Sequence, residues 1–168
     1  HDAEAFARLY DRHAASLYRF AYLKLSSREL AEELVADIFS KFWDRLQKQG
    51  EVRHVRGLLY QMLRNGVIDA YRRRQGVVTV PGVTFEQDET SSYNESLSSD
   101  LGRGSEQTEA QAEVALLLEK IRGLKEDYQD VLMLRLIEDL SFQEIASVLE
   151  KEAGAVRVLF HRAKKALD

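Results

Sequence analysis

The C-terminal stretch of the sequence carries basic side chains at helical spacing. Residues 153–167 place apolar residues along one face, and the opposite side is basic, with Arg157, His161, Arg162, Lys164 and Lys165. Guanidinium and ammonium groups neutralise phosphates, and an arginine can also donate hydrogen bonds to a base edge in the major groove. This side of the predicted helix could therefore contact the phosphates and base edges of duplex DNA.

A shorter helix is predicted directly before this basic segment. Ser141 and Glu144 have the spacing of a capping box, which marks a helix N-terminus. Apolar residues then recur at helical spacing: Phe142, Ile145, Ala146 and Leu149. Two helices joined by a tight turn form a helix-turn-helix, whose second helix enters the major groove. A plain helical hairpin with a solvated basic face is the alternative, and spacing alone does not separate the two.

Amphipathic helical patterns also fill the N-terminal half of the chain. They cover residues 4–24, a segment from Ser26 to Gly50, and a third segment from about 55 to 74. Ser26 and Glu29 form a second predicted capping box, and Gly50 ends that helix. Gly66 weakens the third helix by about 1 kcal/mol relative to Ala. Further helices are predicted around 117–124 and 128–137, so the predicted fold class is all-α.

The helical pattern stops between residues 76 and 107. Ser, Gly, Asp, Glu and Asn dominate this segment, which cannot bury enough apolar surface to offset chain entropy. Eight acidic residues and one Arg give residues 86–113 a charge of −7, and because the whole chain carries −4, the remainder carries +3. The sequence therefore predicts two small helical domains, 1–75 and 108–168, joined by a flexible acidic linker at 76–107.

Composition argues against several other classes of protein. The chain of 168 residues has no Cys, which removes disulfides, thiolate metal sites and cysteine nucleophiles. No apolar run approaches the roughly 18 residues of a membrane span, and no signal-peptide pattern opens the chain, so we expect no membrane insertion and a cytoplasmic location. A diiron bundle needs paired Glu-x-x-His motifs, but only Glu51 and His54 form one. We expect no catalytic residue, no metal and no cofactor.

The C-terminal helices resemble region 4 of bacterial sigma factors, above all those of the small extracytoplasmic-function (ECF) class. The matching segments are 124–135, 140–146, 154–157 and 161–163. The N-terminal half agrees independently, because residues 31–39 with Trp43 are similar to region 2.2. Similarity to regions 2.3 and 2.4 lies in 59–60, 64–65, 68–69 and 72–74. Two motifs in the right order make the resemblance specific, although the family usually has Gly where this chain has Glu150.

The resemblance implies a dissociable initiation subunit of bacterial RNA polymerase. The first domain would bind a coiled coil on the large catalytic subunit through an acidic rim and an apolar area on its second helix. The residues implied are Glu32, Glu33, Leu34, Asp37, Ile38 and Trp43. Several of the apolar residues must also fill the domain core, and we expect a core role for Phe39. An anti-sigma partner is typical of the family.

The resemblance also implies two contacts with promoter DNA. The third helix would bind the opened −10 element, whose single-stranded bases are held by stacking, hydrogen bonds and phosphate contacts. Its candidates are Tyr60, Asn65, Asp69, Arg72, Arg73 and Arg74. A core role for Tyr60 and a helix-dipole role for the arginines remain open. The last helix would bind the −35 duplex through Arg157, Val158, His161, Arg162, Lys164 and Lys165, with Val158 placed to touch a thymine methyl.

Two other functions remain open at the level of the sequence. A conventional helix-turn-helix regulator would share the C-terminal motif, but its other half would be a sensor or dimerisation domain. The region 2-like half argues against that alternative. A sigma-like protein that binds partners without initiating transcription would have the same motifs, and transcription in vitro with core polymerase separates it from a true sigma factor.

Overall fold

The computed structural model describes residues 3–77 and 109–168. All regular secondary structure within these ranges is helical, which confirms the all-α prediction. The chain divides into two compact units, residues 1–93 and 94–168, which we call unit 1 and unit 2. Apart from positions 76 and 77, which end a helix, the predicted linker lies outside the described residues. None of the helices in the described ranges is both long and apolar enough to cross a membrane.

Unit 1 consists of three helices around one apolar core. They are α1 (Ala3–Leu25), α2 (Arg28–Gln49) and α3 (Val55–Val77). Each of them packs against the other two. The fully buried side chains between them include Leu17, Phe20, Phe42, Leu59 and Leu63. Each such side chain contributes about 1.5–3 kcal/mol through its removal from water, and this burial holds α2 and α3 side by side.

Both ends of α2 are set by local backbone chemistry. Its N-cap is Ser27, whose hydroxyl accepts a hydrogen bond from the Leu30 N–H at 3.2 Å. The predicted N-cap, Ser26, is wrong by one residue, because Ser26 has φ of 56° and its amide closes α1 by donating to the Tyr22 carbonyl. Gly50 ends α2 as predicted, with φ of 81°, which glycine adopts without a steric penalty.

Close packing between α2 and α3 depends on Gly66. A Cβ at this position would overlap with the Leu34 Cδ1 methyl. The glycine that lowers helix propensity therefore lets the two helices approach each other. The C-terminal part of α3 is also tied to α1, because the Tyr71 hydroxyl donates a hydrogen bond to the Lys24 carbonyl. These contacts fix which face of α3 is exposed.

Unit 2 contains four α-helices in its described range. They are α4 (Glu109–Arg122), α5 (Glu126–Leu132), α6 (Phe142–Leu149) and α7 (Ala153–Leu167). One π-helical turn, Met133–Ile137, extends α5, so the helices predicted around 117–124 and 128–137 are present with adjusted ends. The last helix, α7, packs against α5 and α6. The core contains Leu132, Leu134, Leu140, Ile145 and Val156.

The turn between α6 and α7 has the geometry expected of a helix-turn-helix. The Ser141 hydroxyl accepts from the Glu144 N–H at 3.1 Å, and the Ser141 N–H donates to the Glu144 carboxylate at 2.9 Å, which confirms the predicted capping box. Only residues 150–152 separate the two helices. Glu150 is left-handed, with φ of 56° and ψ of 47°, so a glutamate makes the turn that glycine would make, at a cost of about 1 kcal/mol.

Candidate nucleic-acid interface

Helix α7 exposes the whole set of predicted DNA-binding side chains. Its buried face consists of Val156 and Ala163, which pack inward. The exposed side carries Arg157, Val158, His161, Arg162, Lys164 and Lys165. Half of the Val158 surface is open to solvent, which leaves its methyl groups available for contact.

The two arginines of α7 point in different directions. Arg157 and Arg162 are five residues apart, which corresponds to about 500° around a helix, or 140° after one full turn. They therefore cannot both point at the same base. His161 is four residues from Arg157 and so lies on the same side of the helix. The arrangement provides one arginine and one histidine on a common side, with Arg162 turned towards a flank.

An aromatic pair lies beneath the basic side chains of α7. The rings of Phe142 and Phe160 meet edge to face, with 5.5 Å between centroids. The Arg135 guanidinium lies 4.6 Å from the Phe142 centroid, and that of Arg157 lies 5.8 Å from it. Lys164 approaches the Phe160 ring at 5.8 Å. Sequence reasoning missed Arg135 and the aromatic contact of Arg157, although an aromatic residue immediately after a capping serine was visible in the pattern.

Helix α3 exposes most, but not all, of its predicted DNA-binding residues. Asn65, Asp69, Arg72 and Arg73 are exposed, and the first two share one face of the helix. Tyr60 is only 2% exposed and packs edge to face on Phe20, with 6.0 Å between centroids. The structure therefore places Tyr60 in the core, the alternative that its sequence position left open, and gives it no ring face for a base.

Arg74 differs from its two neighbours in the basic run. It is half-buried, and its guanidinium donates to the Leu25 carbonyl at 3.5 Å. Leu25 is the last residue of α1, where carbonyl groups lack partners within the helix and a cation is favoured by the helix dipole. Arg74 thus connects α3 to α1, while Arg72 and Arg73 extend into solvent.

The acidic residues predicted to bind polymerase lie on the exposed side of α2. Glu32, Glu33 and Asp37 are all exposed, and Asp37 pairs with Lys41 at 3.0 Å. Such an exposed pair contributes little to stability, so either partner can exchange it for another contact.

The apolar residues of the same set divide between core and surface. Ile38 is 2% exposed and Phe39 is 3% exposed, so both lie in the core, as expected for Phe39. Leu34 and Trp43 are half-buried. The Trp43 ring packs on Phe6 of α1, with 4.8 Å between centroids, and keeps part of its surface open.

A shallow cleft of about 650 Å³ brings the two predicted sets of unit 1 together. One wall is formed by Glu33, Leu34 and Asp37 of α2, and the other by Arg73 and Arg74 of α3. The α2 side of the cleft carries acidic side chains together with Lys41, and the α3 side carries two arginines. No group of three or more potential metal ligands occurs among the residues of 3–77 and 109–168.

Two family descriptions match separate segments of the chain. The description "Sigma-70 region 2" matches residues 9–77, and "Sigma-70, region 4" matches residues 115–167. The two matched segments correspond to the helices of unit 1 and to most of the helices of unit 2.

Two curated relatives align with nearly the whole chain. The chain is 30% identical to the ECF RNA polymerase sigma factor BldN of Streptomyces coelicolor, covering 99% of this chain and 60% of the relative. It is 24% identical to the ECF RNA polymerase sigma factor SigW of Bacillus subtilis, covering 99% of this chain and 88% of the relative. The chain thus spans less than two thirds of the first relative and most of the second.

A solved structure has the same fold. It is the sigma factor RpoE in complex with the anti-sigma factor NepR from Bartonella quintana, with a TM-score of 0.72 and 18% identity. The match covers 98% of this chain and 95% of that chain. The two region matches and the two ECF relatives together show that the chain belongs to the sigma-70 family of RNA polymerase sigma factors, and within it to the ECF class.

Proposed function

We propose that this chain is an ECF sigma factor that binds core RNA polymerase, recognises a promoter, opens its −10 element and so directs initiation. The observation that carries the proposal is the order of two helical units, one matched by region 2 and the other by region 4. Each unit exposes a helix with basic side chains, α3 in one and α7 in the other. A conventional regulator would need only the second of these units.

We assign the binding of core polymerase to the exposed side of α2. Glu32, Glu33 and Asp37 provide carboxylates for a basic partner surface, and Leu34 with Trp43 adds partly exposed apolar area. Ile38 is buried, so it supports this helix from the core and does not contact a partner in this conformation. An interface of this composition, apolar at its centre with a charged rim, is typical of protein–protein contacts.

The opened −10 strand is assigned to α3. Asn65 and Asp69 offer hydrogen-bonding groups for base edges, and Arg72 and Arg73 are free of the core and suited to phosphates. Arg74 contributes positive charge near the same end while it holds α1. The exposed set on α3 thus combines base contacts and phosphate contacts, which binding of a single strand requires.

The −35 duplex is assigned to α7. Arg157 and His161 face the bases, Val158 supplies an apolar contact for a thymine methyl, and the remaining basic residues, Arg162, Lys164 and Lys165, contact phosphates. The domain boundaries 1–75, 76–107 and 108–168 remain part of this proposal. Limited proteolysis tests them, and first cuts inside 28–74 would contradict the division.

Further properties follow from the family and its relatives. The Bartonella quintana sigma factor is bound to an anti-sigma factor, and we infer that an anti-sigma factor also binds this chain and competes with polymerase. Sigma factors are generally non-catalytic, so we assign no reaction, and we place the protein in the cytoplasm, where polymerase and promoter DNA are found.

Transcription in vitro tests the proposal most directly. Core bacterial polymerase, the full chain and a promoter library should give transcripts from a subset of promoters, and only when the chain is present. Arg157→Ala should cost about 1–3 kcal/mol at one −35 position, whereas the matched Lys165→Ala should weaken all promoters alike and flatten the salt dependence. Binding to DNA without transcripts would favour a conventional regulator, and binding to polymerase without transcripts would favour a non-initiating sigma-like protein.

Charge reversal tests the polymerase interface separately. Glu32→Lys combined with Asp37→Lys should weaken binding to core polymerase, because both side chains are exposed on α2. The matched control is Glu113→Lys with Glu119→Lys on α4, which makes the same charge change at exposed positions of unit 2. If both double variants bound core polymerase with equal affinity, the polymerase interface would not lie on α2.

A further inference from the structure

Two guanidinium groups from different helical segments lie near the ring of Phe142. Arg135 lies 4.6 Å and Arg157 lies 5.8 Å from its centroid. Arg135 belongs to the π-helical turn after α5, and Arg157 belongs to the first half of α7. The ring therefore links α7, the helix proposed to bind DNA, with the π-helical turn after α5.

Neighbouring contacts restrain the position of the Phe142 ring. Phe142 is the first residue of α6, directly after the Ser141 N-cap, whose two hydrogen bonds with Glu144 fix the local backbone. The edge-to-face contact with Phe160 restrains the ring on one side. On another side Arg135 is held by a hydrogen bond from its guanidinium to the Leu140 carbonyl at 2.9 Å. The ring is therefore a restrained platform.

Contact with an aromatic face orders an arginine without occupying its hydrogen-bond donors. The guanidinium is attracted to the ring through its charge and its flat face, while its N–H groups lie in the plane and stay available for a bidentate contact with guanine O6 and N7. An exposed arginine that is ordered before binding loses less conformational freedom when DNA arrives. Arg157 is exposed, and its guanidinium already lies near the ring.

We propose that Phe142 is a positioning residue that presents Arg157 for base recognition in the −35 duplex. Phe142 touches no base itself and acts through Arg157, and Arg135 makes a second contact that restrains the ring. The inference rests on the proposed promoter-binding function of α7. It adds a determinant of promoter specificity that lies on α6, outside the helix that enters the groove.

The test uses holoenzyme assembled from the full chain and core polymerase, with a promoter library randomised through the −35 duplex. Phe142→Leu removes the ring and keeps apolar volume, and Phe142→Tyr keeps the ring. Phe142→Leu should reduce preference about two- to fivefold at the position that Arg157→Ala affects, in line with the strength of an exposed cation–aromatic contact. Phe142→Tyr should retain the parent preference.

A double variant separates positioning from structure. If Phe142 acts through Arg157, then Phe142→Leu added to Arg157→Ala should cause no further loss of preference at that position. Val148→Ala is the matched control, because it shortens a buried apolar side chain of α6 and leaves the Phe142 ring in place. It should lower the melting temperature of the protein while leaving promoter preference unchanged.

Two outcomes would overturn the inference while leaving the proposed function intact. One is a parent holoenzyme that selects sequences while Phe142→Leu weakens all of them equally. The other is an additive loss in the double variant. A parent holoenzyme that selects no −35 sequence would overturn the promoter-binding role of α7 itself, and the positioning role with it.

Discussion

The arginines of α3 and those of α7 are held in different ways. In unit 1, Arg74 is half-buried and bonded to the end of α1, so part of the basic run of α3 belongs to the fold. In unit 2, Arg157 is exposed and lies near an aromatic ring. A bond to a backbone carbonyl occupies one N–H donor of a guanidinium and fixes its direction, whereas contact with a ring leaves all of its N–H donors available.

This difference suits the two forms of DNA that the helices are proposed to bind. An opened strand can adapt its shape to a fixed protein surface, and phosphate contacts tolerate small shifts. Recognition of a duplex base edge needs donors held in a defined geometry. The following variants either strengthen this comparison or break it, beginning with the largest expected effect.

The strongest effect is expected at Gly66 of α3, where the Leu34 side chain of α2 lies against the glycine. Gly66→Val should destabilise unit 1 by about 1–2 kcal/mol, because the Leu34 side chain must move away from the added side chain. Adding Leu34→Ala should recover part of that loss. Denaturant unfolding followed through Trp43, the single tryptophan of the chain, reports on unit 1. A Gly66→Val chain as stable as the parent would show that the close approach is not required.

Two adjacent arginines test whether the α3 cations serve different purposes. Arg74→Ala should lower the stability of unit 1 by about 1 kcal/mol, because the bond to the Leu25 carbonyl is lost. Arg73→Ala removes the same type of side chain from an exposed position and should leave stability unchanged while weakening binding to opened promoter DNA. Equal effects of both variants on stability would remove the contrast between the two arginines.

The ends of α2 and α6 offer a second comparison between the units. Gly50 and Glu150 both have positive φ, 81° and 56°, but only glycine adopts such values without strain. Glu150→Gly should therefore stabilise unit 2 by about 0.5–1 kcal/mol. Hydrogen exchange of the α6 and α7 amides measures this, with Lys151→Gly as the control, since Lys151 is exposed and has negative φ. Faster exchange in Glu150→Gly would contradict a strained turn.

The smallest effect is expected from pH. Burial, with smaller contributions from the charges of Arg12 and Arg56, lowers the pKa of His13 from its ordinary 6.5. The unfolded chain then binds the proton more readily than the folded one, so unit 1 should lose stability as pH falls from about 6.5 towards the lower folded pKa. Partial exposure keeps the loss small.

His13→Gln should remove this part of the pH dependence, as judged from unfolding curves at pH values above and below 6.5. Arg56→Gln is a useful second variant, because loss of a neighbouring positive charge should move the pKa of His13 back towards its ordinary value. An identical pH profile for the parent and His13→Gln would show that another group causes any change seen.

Local sequence rules were sufficient to predict the helices and several of their ends. The capping box of Ser141 with Glu144 and the end of α2 at Gly50 depend on residues within one turn of each other, so periodicity and end signals located them from the sequence. The same rules failed by one residue at Ser26. Two adjacent serines can each cap a helix, and the choice depends on how α1 ends.

Only the packed structure decided which side chains are available to a partner. Tyr60 is buried against Phe20, and Arg74 reaches a carbonyl 49 residues away in sequence. Gly66 weakens a helix by local propensity but permits the contact with Leu34. The sequence by itself determined the helices, their order and the charge they carry, because these depend on neighbouring residues. The burial of Tyr60, the bond of Arg74 and the ring beside Arg157 depend on how separate helices pack, and no local pattern encodes those distances.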